Sequence, residues 1–251
     1  MTAASFATEV ADTSRRAFVE HVMGMPVSIH LRGARGDVES PDARTAVAQA
    51  FSHLSRVDDV FSTWRVDSEL MRSSRGDLDA ADAHPWLAEV SGLCALAHLR
   101  TGGLFSPYHA GAYDPTGLVK GWAVEGAARH LAHVPRISFC INAGGDLVAG
   151  FGPGHDPSPW TIGIEDPRHT GRVAATVELT CGGLATSGTA ARGAHLRDPR
   201  DGAPISRPGS ATVWGPSLLW ADVWATALFV DPAVATQTLE GEHPAYRHLV
   251  L

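Results

Sequence analysis

The spacing of apolar residues predicts helices mainly in the first half of the chain and strands in the second. Residues 25–33, MPVSIHLRG, alternate apolar and polar side chains and end at glycine, which predicts a strand. Residues 41–61 carry apolar side chains at helical spacing without an internal glycine, which predicts an amphipathic helix. Further helices are predicted over residues 85–101, 121–131 and 217–230.

After residue 135 the chain consists of short β-rich segments separated by Gly and Pro, among them RISFCINAGGDLVAG, PWTIGIEDP and SATVWGP. Helices that come early and strands that come late favour an α+β fold over regular βαβ alternation. We therefore expect helices in the N-terminal half and an antiparallel or mixed β-rich C-terminal half. The sequence shows no repeat and no linker, so we expect one domain over residues 1–251, with its core at 21–232.

Charge and composition narrow the possible functions. The formal net charge of −7 leaves no basic surplus to neutralise phosphates, which argues against nucleic-acid binding. Cys94, Cys140 and Cys181 lie far apart among apolar or small residues, so we expect three buried thiols. The first 24 residues contain no apolar run of signal-peptide length, and no segment approaches the ~20 apolar residues of a membrane span. We expect a cytoplasmic protein without a membrane span.

One carboxylate interrupts the apolar segment ADVWATALF. On a helix, Asp222 and Thr226 lie one turn apart on the same face. Asp222 near a helix start is also explained by the helix dipole, and Thr226 by a bond to a preceding carbonyl. The functional alternative is a site for a hard cation, because a carboxylate and a hydroxyl are ligands that Mg²⁺ accepts.

Two glycine-containing segments are candidates for binding an anion. In YDPTGLVKGWAVEGA, Lys120 lies between glycines just before a predicted helix, whose free N–H groups would attract phosphate. The alternative is an ordinary loop with a solvated lysine. In INAGGDLVAG, Gly144 and Gly145 precede Asp146, which suits either a tight turn or close approach of the backbone to a ligand.

Two further segments contain candidate site residues. His195, in HLRDPRDGAP, is either a structural histidine or a general base. In FSTWRVDSEL, Trp64 belongs either to the core or to an exposed surface that stacks on a flat ring. Ser68 in the same segment is a candidate helix cap.

The order of these motifs, from residue 23 to residue 230, resembles the ApbE family of FAD:protein FMN transferases. The matching series is MGMPVSI, FSTWRVDSEL, DPTGLVKGWAVE, INAGGDLVAG, PWTIGIEDP, LATSG, HLRDPRDGAP and ADVWATALF. The resemblance implies a Mg²⁺-dependent enzyme, with Mn²⁺ an alternative metal. Such an enzyme transfers FMN from FAD to a Ser or Thr hydroxyl of an acceptor protein and releases AMP.

The resemblance also implies roles for individual residues. Asp222, Thr226 and the backbone carbonyl of Val119 would be the metal ligands, and His195 and Lys120 would act in catalysis together with the metal-bound Asp222. Trp64 would stack on the flavin. The remaining candidates for FAD binding are Met25, Ser68, Val119, Gly144, Gly145, Asp146, Thr186, Ser187 and Gly188.

Three positions depart from the family pattern. Ser74 stands where the family usually has Asn, Ser106 replaces an acid, and Thr189 with Ala190 replaces Asp-Tyr after ATSG. These departures retain a degenerate structural member as an alternative. Two further alternatives are an FAD pyrophosphatase with water as the acceptor, which would use the same residues as the transferase, and a flavin-binding protein without turnover. The acceptor protein and the oligomeric state are not readable from the sequence.

Overall fold

A computed structural model describes residues 13–108, 111–189 and 197–251. Within these ranges the chain forms seven helices and nine strands. The elements in chain order are β1 (Thr13–Val22), β2 (Met25–Ala34), α1 (Arg35–Val38), α2 (Pro41–Phe61), α3 (Glu69–Ser74), α4 (Pro85–Arg100), α5 (Thr116–Leu131), β3 (Ile137–Ala143), β4 (Asp146–Phe151), β5 (Trp160–Glu165), β6 (Val173–Leu179), β7 (Gly182–Gly188), β8 (Ser210–Gly215), α6 (Leu218–Val230), α7 (Pro232–Glu242) and β9 (Arg247–Val250).

Two antiparallel sheets organise the molecule. The larger has seven strands in the order β1-β2-β3-β4-β7-β8-β9, and the smaller consists of β5 and β6. Helices α2, α5 and α6 pack with the larger sheet into the main apolar core. The two-stranded sheet covers part of the opposite face, where Ile162 and Val177 pack with Leu184 in a second apolar cluster. The larger sheet is therefore buried on both faces around β4 and β7.

The α+β class predicted from the sequence is confirmed, as are the strand from Met25 and the helix over Pro41–Phe61. Strands β1 and β9 and helix α7 were not predicted. Most residues of β1 are exposed and it lies at the sheet edge, so it lacks the regular apolar alternation of a half-buried strand.

Two predictions are wrong in detail. The helix expected from residue 121 begins at Thr116, directly after Pro115; Asp114 Oδ1 forms the turn before it by accepting hydrogen bonds from the backbone N–H (2.9 Å) and hydroxyl (2.6 Å) of Thr116. Lys120 is consequently a helical residue rather than a loop residue. Cys94 and Cys140 are buried as expected, but Cys181 is exposed because it lies in the turn between β6 and β7.

No helix in the described ranges combines the length and apolar character needed to cross a bilayer.

Candidate functional site

Helix α6 carries the two residues that the sequence singled out, and its start is fixed to α5. Ser217 is the N-cap residue of α6. Glu125 Oε2, on α5, accepts hydrogen bonds from the Ser217 hydroxyl at 2.8 Å and from the Leu219 backbone N–H at 3.0 Å. A carboxylate at a helix N-terminus satisfies free N–H groups and complements the dipole. Glu125 therefore sets the position of α6 relative to α5.

A glycine allows the two helices to approach closely beside Asp222. A Cβ atom added to Gly121 would lie 3.0 Å from Leu219 Cα and 3.2 Å from Asp222 Cβ. Such distances are tighter than ordinary contacts in a packed interior, so a side chain at residue 121 would push the neighbouring atoms of α6 away by a few tenths of an ångström. The neighbouring residue, Lys120, is thereby brought next to Asp222.

The centre of the site is a buried cluster of one ammonium and two carboxylates. Lys120 Nζ lies 2.5 Å from Asp146 Oδ2 and 3.8 Å from Asp222 Oδ1. Asp146 is 1% exposed and Asp222 3%. The other oxygen of Asp146, Oδ1, accepts a hydrogen bond from the Thr186 backbone N–H at 3.2 Å. Lys120 is also the only lysine in the 251-residue chain.

This cluster contains one more negative charge than positive charge when both carboxyl groups are ionised. Asp222 Oδ2 is buried and has no hydrogen-bond partner among the described residues. Burial raises the pKa of the Asp222 carboxyl far above its usual range, although the Lys120 ammonium acts in the opposite direction. A buried carboxylate is costly unless its negative charge is paired with a positive charge. A further cation bound at this cluster would supply that positive charge.

A hydroxyl of β7 contacts helix α6 close to the charged cluster, whereas a hydroxyl pair of β7 and β8 lies on the other face of the sheet. Ser187 Oγ and Thr226 Oγ1 are 3.2 Å apart, which joins β7 to α6 one turn beyond Asp222. Thr186 Oγ1 and Thr212 Oγ1 are 2.9 Å apart. Neighbouring residues of a strand point to opposite faces, so Ser187 shares the helix-facing side of the sheet with Ala185, while Thr186 points away from it.

The donor set is compatible with a hard divalent cation. Asp222 contributes an unpartnered carboxylate oxygen, and Thr226 contributes a hydroxyl on the same helix face. The predicted third ligand, the Val119 carbonyl, lies in the first turn of α5 rather than in a loop. A helical carbonyl bonded to the N–H four residues on still has a second lone pair.

The described residues include no cluster of three or more His, Cys, Asp or Glu side chains suited to a metal ion. With only two protein side chains and one carbonyl as ligands, the remaining coordination positions would belong to phosphate oxygens and water, as is usual for Mg²⁺.

The Gly144-Gly145 pair forms the turn that starts β4 at Asp146. Both glycines have positive φ, 62° and 99°, and Ala143 pairs with Asp146 across the turn. Two consecutive positive φ values are characteristic of a tight hairpin turn. The turn, and with it the Asp146 carboxylate, is supported by a hydrogen bond at 3.0 Å from the Gly145 N–H to Asn142 Oδ1.

Trp64 and Ser68, which are close in sequence, lie in opposite environments. Trp64 is 93% exposed, which rules out the core alternative. Ser68 is fully buried; its hydroxyl accepts from the Met71 N–H at 3.2 Å and donates to the Ser62 carbonyl at 2.7 Å. The predicted helix cap at Ser68 is therefore confirmed.

The other predicted residues lie at the ends of strands or outside the described ranges. Met25 begins β2 and packs partly against the main core, and Gly188 ends β7. His195 and Ala190 lie outside the described residues. Ser74 bonds within α3, its hydroxyl donating to the Met71 carbonyl at 2.8 Å, and Ser106 Oγ accepts from the Tyr108 N–H at 3.1 Å.

Sequence reasoning did not identify Glu125 and Gly121 as residues that build the site. Glu125 lies five residues after Lys120, and Gly121 directly follows it. The only sequence signal was the absence of a side chain at residue 121 in an otherwise helical segment, which is compatible with close helix packing. Nothing in the sequence indicated the role of Glu125, because its hydrogen-bond partners, Ser217 and Leu219, lie 92 and 94 residues further along the chain.

Fold and site together define an α+β protein with a candidate cation site made of carboxylate, hydroxyl and ammonium groups. The model of the family described as "ApbE family" matches residues 109–247, more than half of the 251 residues. The chain belongs to the ApbE family, as its motif order predicted.

Related proteins have been named for a flavin-transfer activity. An FAD:protein FMN transferase of Klebsiella pneumoniae (strain 342) is 31% identical over 137 residues, which cover 50% of this chain and 39% of that protein. One of Vibrio cholerae serotype O1 is 33% identical over 127 residues, covering 47% of this chain and 38% of that protein. The matched part thus spans about two fifths of these relatives' length.

Solved structures of the family share the fold over nearly the whole chain. The ApbE protein of Thermotoga maritima superimposes with a TM-score of 0.76 at 20% identity, covering 94% of both chains. The apo form of the flavinyl transferase ApbE of Pseudomonas stutzeri gives 0.73 at 20% identity, covering 95% of both. At such identity these likenesses establish the fold.

Proposed function

We propose that this protein is a Mg²⁺-dependent FAD:protein FMN transferase, which moves FMN from FAD to a Ser or Thr hydroxyl of an acceptor protein and releases AMP. The observation that carries the proposal is the buried Asp222 carboxyl group, whose Oδ2 has no hydrogen-bond partner among the described residues and which shares the single ammonium of Lys120 with Asp146. Membership of the ApbE family and the activity for which the relatives are named support the same reaction.

The residues of the site have different chemical roles in the proposed reaction. Asp222 and Thr226, with the Val119 carbonyl, would hold the cation, which would neutralise pyrophosphate charge and stabilise the leaving phosphate. Lys120, whose side chain is 19% exposed, places an ammonium beside this site. Trp64 offers an exposed indole of the kind that stacks on a flat ring.

The transfer exchanges one P–O bond for another. The acceptor hydroxyl oxygen forms a bond to the phosphorus of the FMN half, while the bond from that phosphorus to the bridging oxygen breaks. AMP leaves with the bridging oxygen, and the hydroxyl proton passes to a base, for which the sequence offers His195. A positioned base contributes about 10²–10⁴-fold to such a step.

The test is incubation of the purified protein with FAD and Mg²⁺, with and without a flavin-accepting domain. AMP is followed by chromatography, and covalent flavin by fluorescence of the acceptor on a denaturing gel. We expect AMP and a fluorescent acceptor band together. In Asp222→Asn both should fall by about 100-fold or more, because charge stabilisation of the transition state is lost. AMP and FMN without labelling of any acceptor would instead identify a pyrophosphatase.

Asp156→Asn is the matched control, because Asp156 is an exposed carboxylate in the segment between β4 and β5, and it should keep full activity. FAD binding without AMP in the wild-type protein, with or without Mg²⁺, would contradict the proposal and leave a flavin-binding protein. Full activity in Asp222→Asn would refute the assigned metal site.

A further inference from the structure

We infer that Ser187 is a positioning residue, which accepts the hydroxyl proton of Thr226 and thereby turns a Thr226 lone pair toward the cation. This inference rests on the proposed function and gives Ser187 a role distinct from direct contact with FAD. It starts from the distance of 3.2 Å between Ser187 Oγ and Thr226 Oγ1, which joins β7 to α6.

Thr226 differs from the two threonines of this protein whose hydroxyls bond back to a carbonyl of their own helix. A threonine in a helix commonly donates its hydroxyl proton to the carbonyl four residues earlier. Thr238 in α7 does so with the Val234 carbonyl at 3.2 Å, and Thr101 at the end of α4 does so with the Ala97 carbonyl at 2.8 Å. Thr226 instead has its hydroxyl directed across to the sheet.

The direction of this bond follows from what a hydroxyl can do. A hydroxyl has one proton and two acceptor lone pairs. If Thr226 Oγ1 uses a lone pair to bind a cation, its proton must point elsewhere and needs an acceptor in the half-buried space around it. Ser187 Oγ is that acceptor, so with the cation bound Thr226 donates and Ser187 accepts.

The strand makes Ser187 a rigid partner. Residue 187 pairs with Ala211 of β8. The preceding residue, Thr186, is held by its N–H bond to Asp146 and by its hydroxyl contact with Thr212. The same short segment of β7 therefore bonds to Asp146 through one residue and to Thr226 through the next. Partners of this kind orient metal ligands, and their loss typically weakens metal affinity 10–100-fold.

The experiment measures Mn²⁺ binding to the FAD-free protein by the loss of the free-ion electron paramagnetic resonance signal, with Mg²⁺ as competitor. We expect Ser187→Ala to weaken Mn²⁺ binding by about 10–100-fold. Ser187→Thr keeps the hydroxyl and should stay within about threefold of wild type. Ser187→Cys fills the volume with a weak acceptor and should behave as Ser187→Ala does, which covers the case of an alanine variant that fails to fold.

Two control variants show the effect of losing the ligand itself and the effect of a substitution at an exposed position of α2. Thr226→Val removes the ligand itself and should lose binding at least as strongly as Ser187→Ala. Ser55→Ala, at an exposed position of α2, should bind as wild type does. FAD affinity without metal should stay within about twofold of wild type in Ser187→Ala, because Ser187 acts through Thr226.

Two outcomes with the variants overturn the inference while leaving the proposed function intact. One is Mn²⁺ binding by Ser187→Ala within twofold of wild type while Thr226→Val loses it. The other is weakened FAD binding with unchanged Mn²⁺ binding, which would mean that Ser187 contacts FAD directly. A wild-type protein that releases AMP only with Mg²⁺ but binds no Mn²⁺ would also contradict the inference, whereas absence of AMP under all conditions would contradict the proposed function.

Discussion

At the scale of single residues, the site depends on a charge balance that few side chains could provide. Among the 20 Lys and Arg residues of the chain there is one lysine, and it lies at 120, between two buried carboxylates. An ammonium is a compact point charge on a flexible stem, whereas a guanidinium is a wide planar fork. Lys120 Nζ lies 2.5 Å from Asp146 Oδ2 and 3.8 Å from Asp222 Oδ1, which is the arrangement of a compact charge near two carboxyl groups.

Replacing Lys120 by Met should lower the free energy of unfolding by about 3–5 kcal/mol, because Asp146 would keep its burial and lose its counter-ion. Urea unfolding followed by far-ultraviolet circular dichroism measures the loss. In the double variant Lys120→Met/Asp146→Asn the loss should be smaller than the sum of the two single losses, since the uncompensated charge is gone. Additive losses would mean that the 2.5 Å contact contributes no coupling.

At the scale of elements, a second close crossing holds α5 against α2. A Cβ added to Gly126 of α5 would lie 2.4 Å from Nε2 of His53 on α2. The His53 ring lies 5.3 Å from Trp86 and 5.9 Å from His130, centroid to centroid. Burial, and then the charge that His130 and Arg129 can carry, lower the pKa of His53 below its ordinary value of 6.5.

This lowered pKa predicts that α2 and α5 pack less stably in mild acid. The neutral imidazole is favoured in the folded state, so its contribution is fully present above pH 6.5 and declines as the pH falls below that value. The free energy of unfolding should therefore fall below pH 6.5, with a slope from this residue of at most about 1.4 kcal/mol per pH unit.

Unfolding of the wild-type protein and of His53→Phe between pH 5 and pH 8 measures this contribution as the difference between the two curves. His133→Phe, at an exposed histidine of the same region, should follow the wild-type curve. Parallel curves for wild type and His53→Phe would show that His53 titrates alike in the folded and unfolded states.

At the scale of the whole molecule, one arginine connects the small sheet to the large one. Arg32 of β2 is 8% exposed, and its Nη1 donates to the Ser158 hydroxyl at 3.0 Å and to the Pro159 carbonyl at 3.1 Å. Its guanidinium carbon lies 3.9 Å from the centre of the Trp160 ring, at the start of β5. Arg32 thus attaches the start of the two-stranded sheet to β2, although Ser158 and Pro159 lie 126 and 127 residues further along the chain.

Arg32→Met should loosen this attachment and leave the candidate site unchanged. Loss of charged hydrogen bonds and a cation–π contact should cost about 2–4 kcal/mol. Hydrogen exchange followed by mass spectrometry should show faster exchange in β5 and β6 than in α6. Arg172→Met, at an exposed position before β6, is the matched control and should leave exchange unchanged. Equal acceleration throughout the described elements would mean that Arg32 stabilises the whole fold, not this attachment.

The sequence by itself determined the elements whose signals are local. Periodicity predicted α2 to the residue and β2 to within one residue, because an apolar stripe or alternation is repeated along each segment. Motif order gave the family, and spacing placed Asp222 and Thr226 on one helix face. Ser68 was recognised as a helix cap, because a capping residue acts on neighbours three positions away.

Only the tertiary structure decided which distant residues meet. Lys120, Asp146 and Asp222 are brought together by the crossing of two helices over β4, and Ser187 reaches Thr226 across 39 residues. The edge strands β1 and β9 were identified only by their pairing with neighbouring strands of the sheet. Cys181 is exposed because it lies in a turn at the surface. Local patterns record which face of an element is apolar, whereas the contacts between elements depend on packing that no single segment contains.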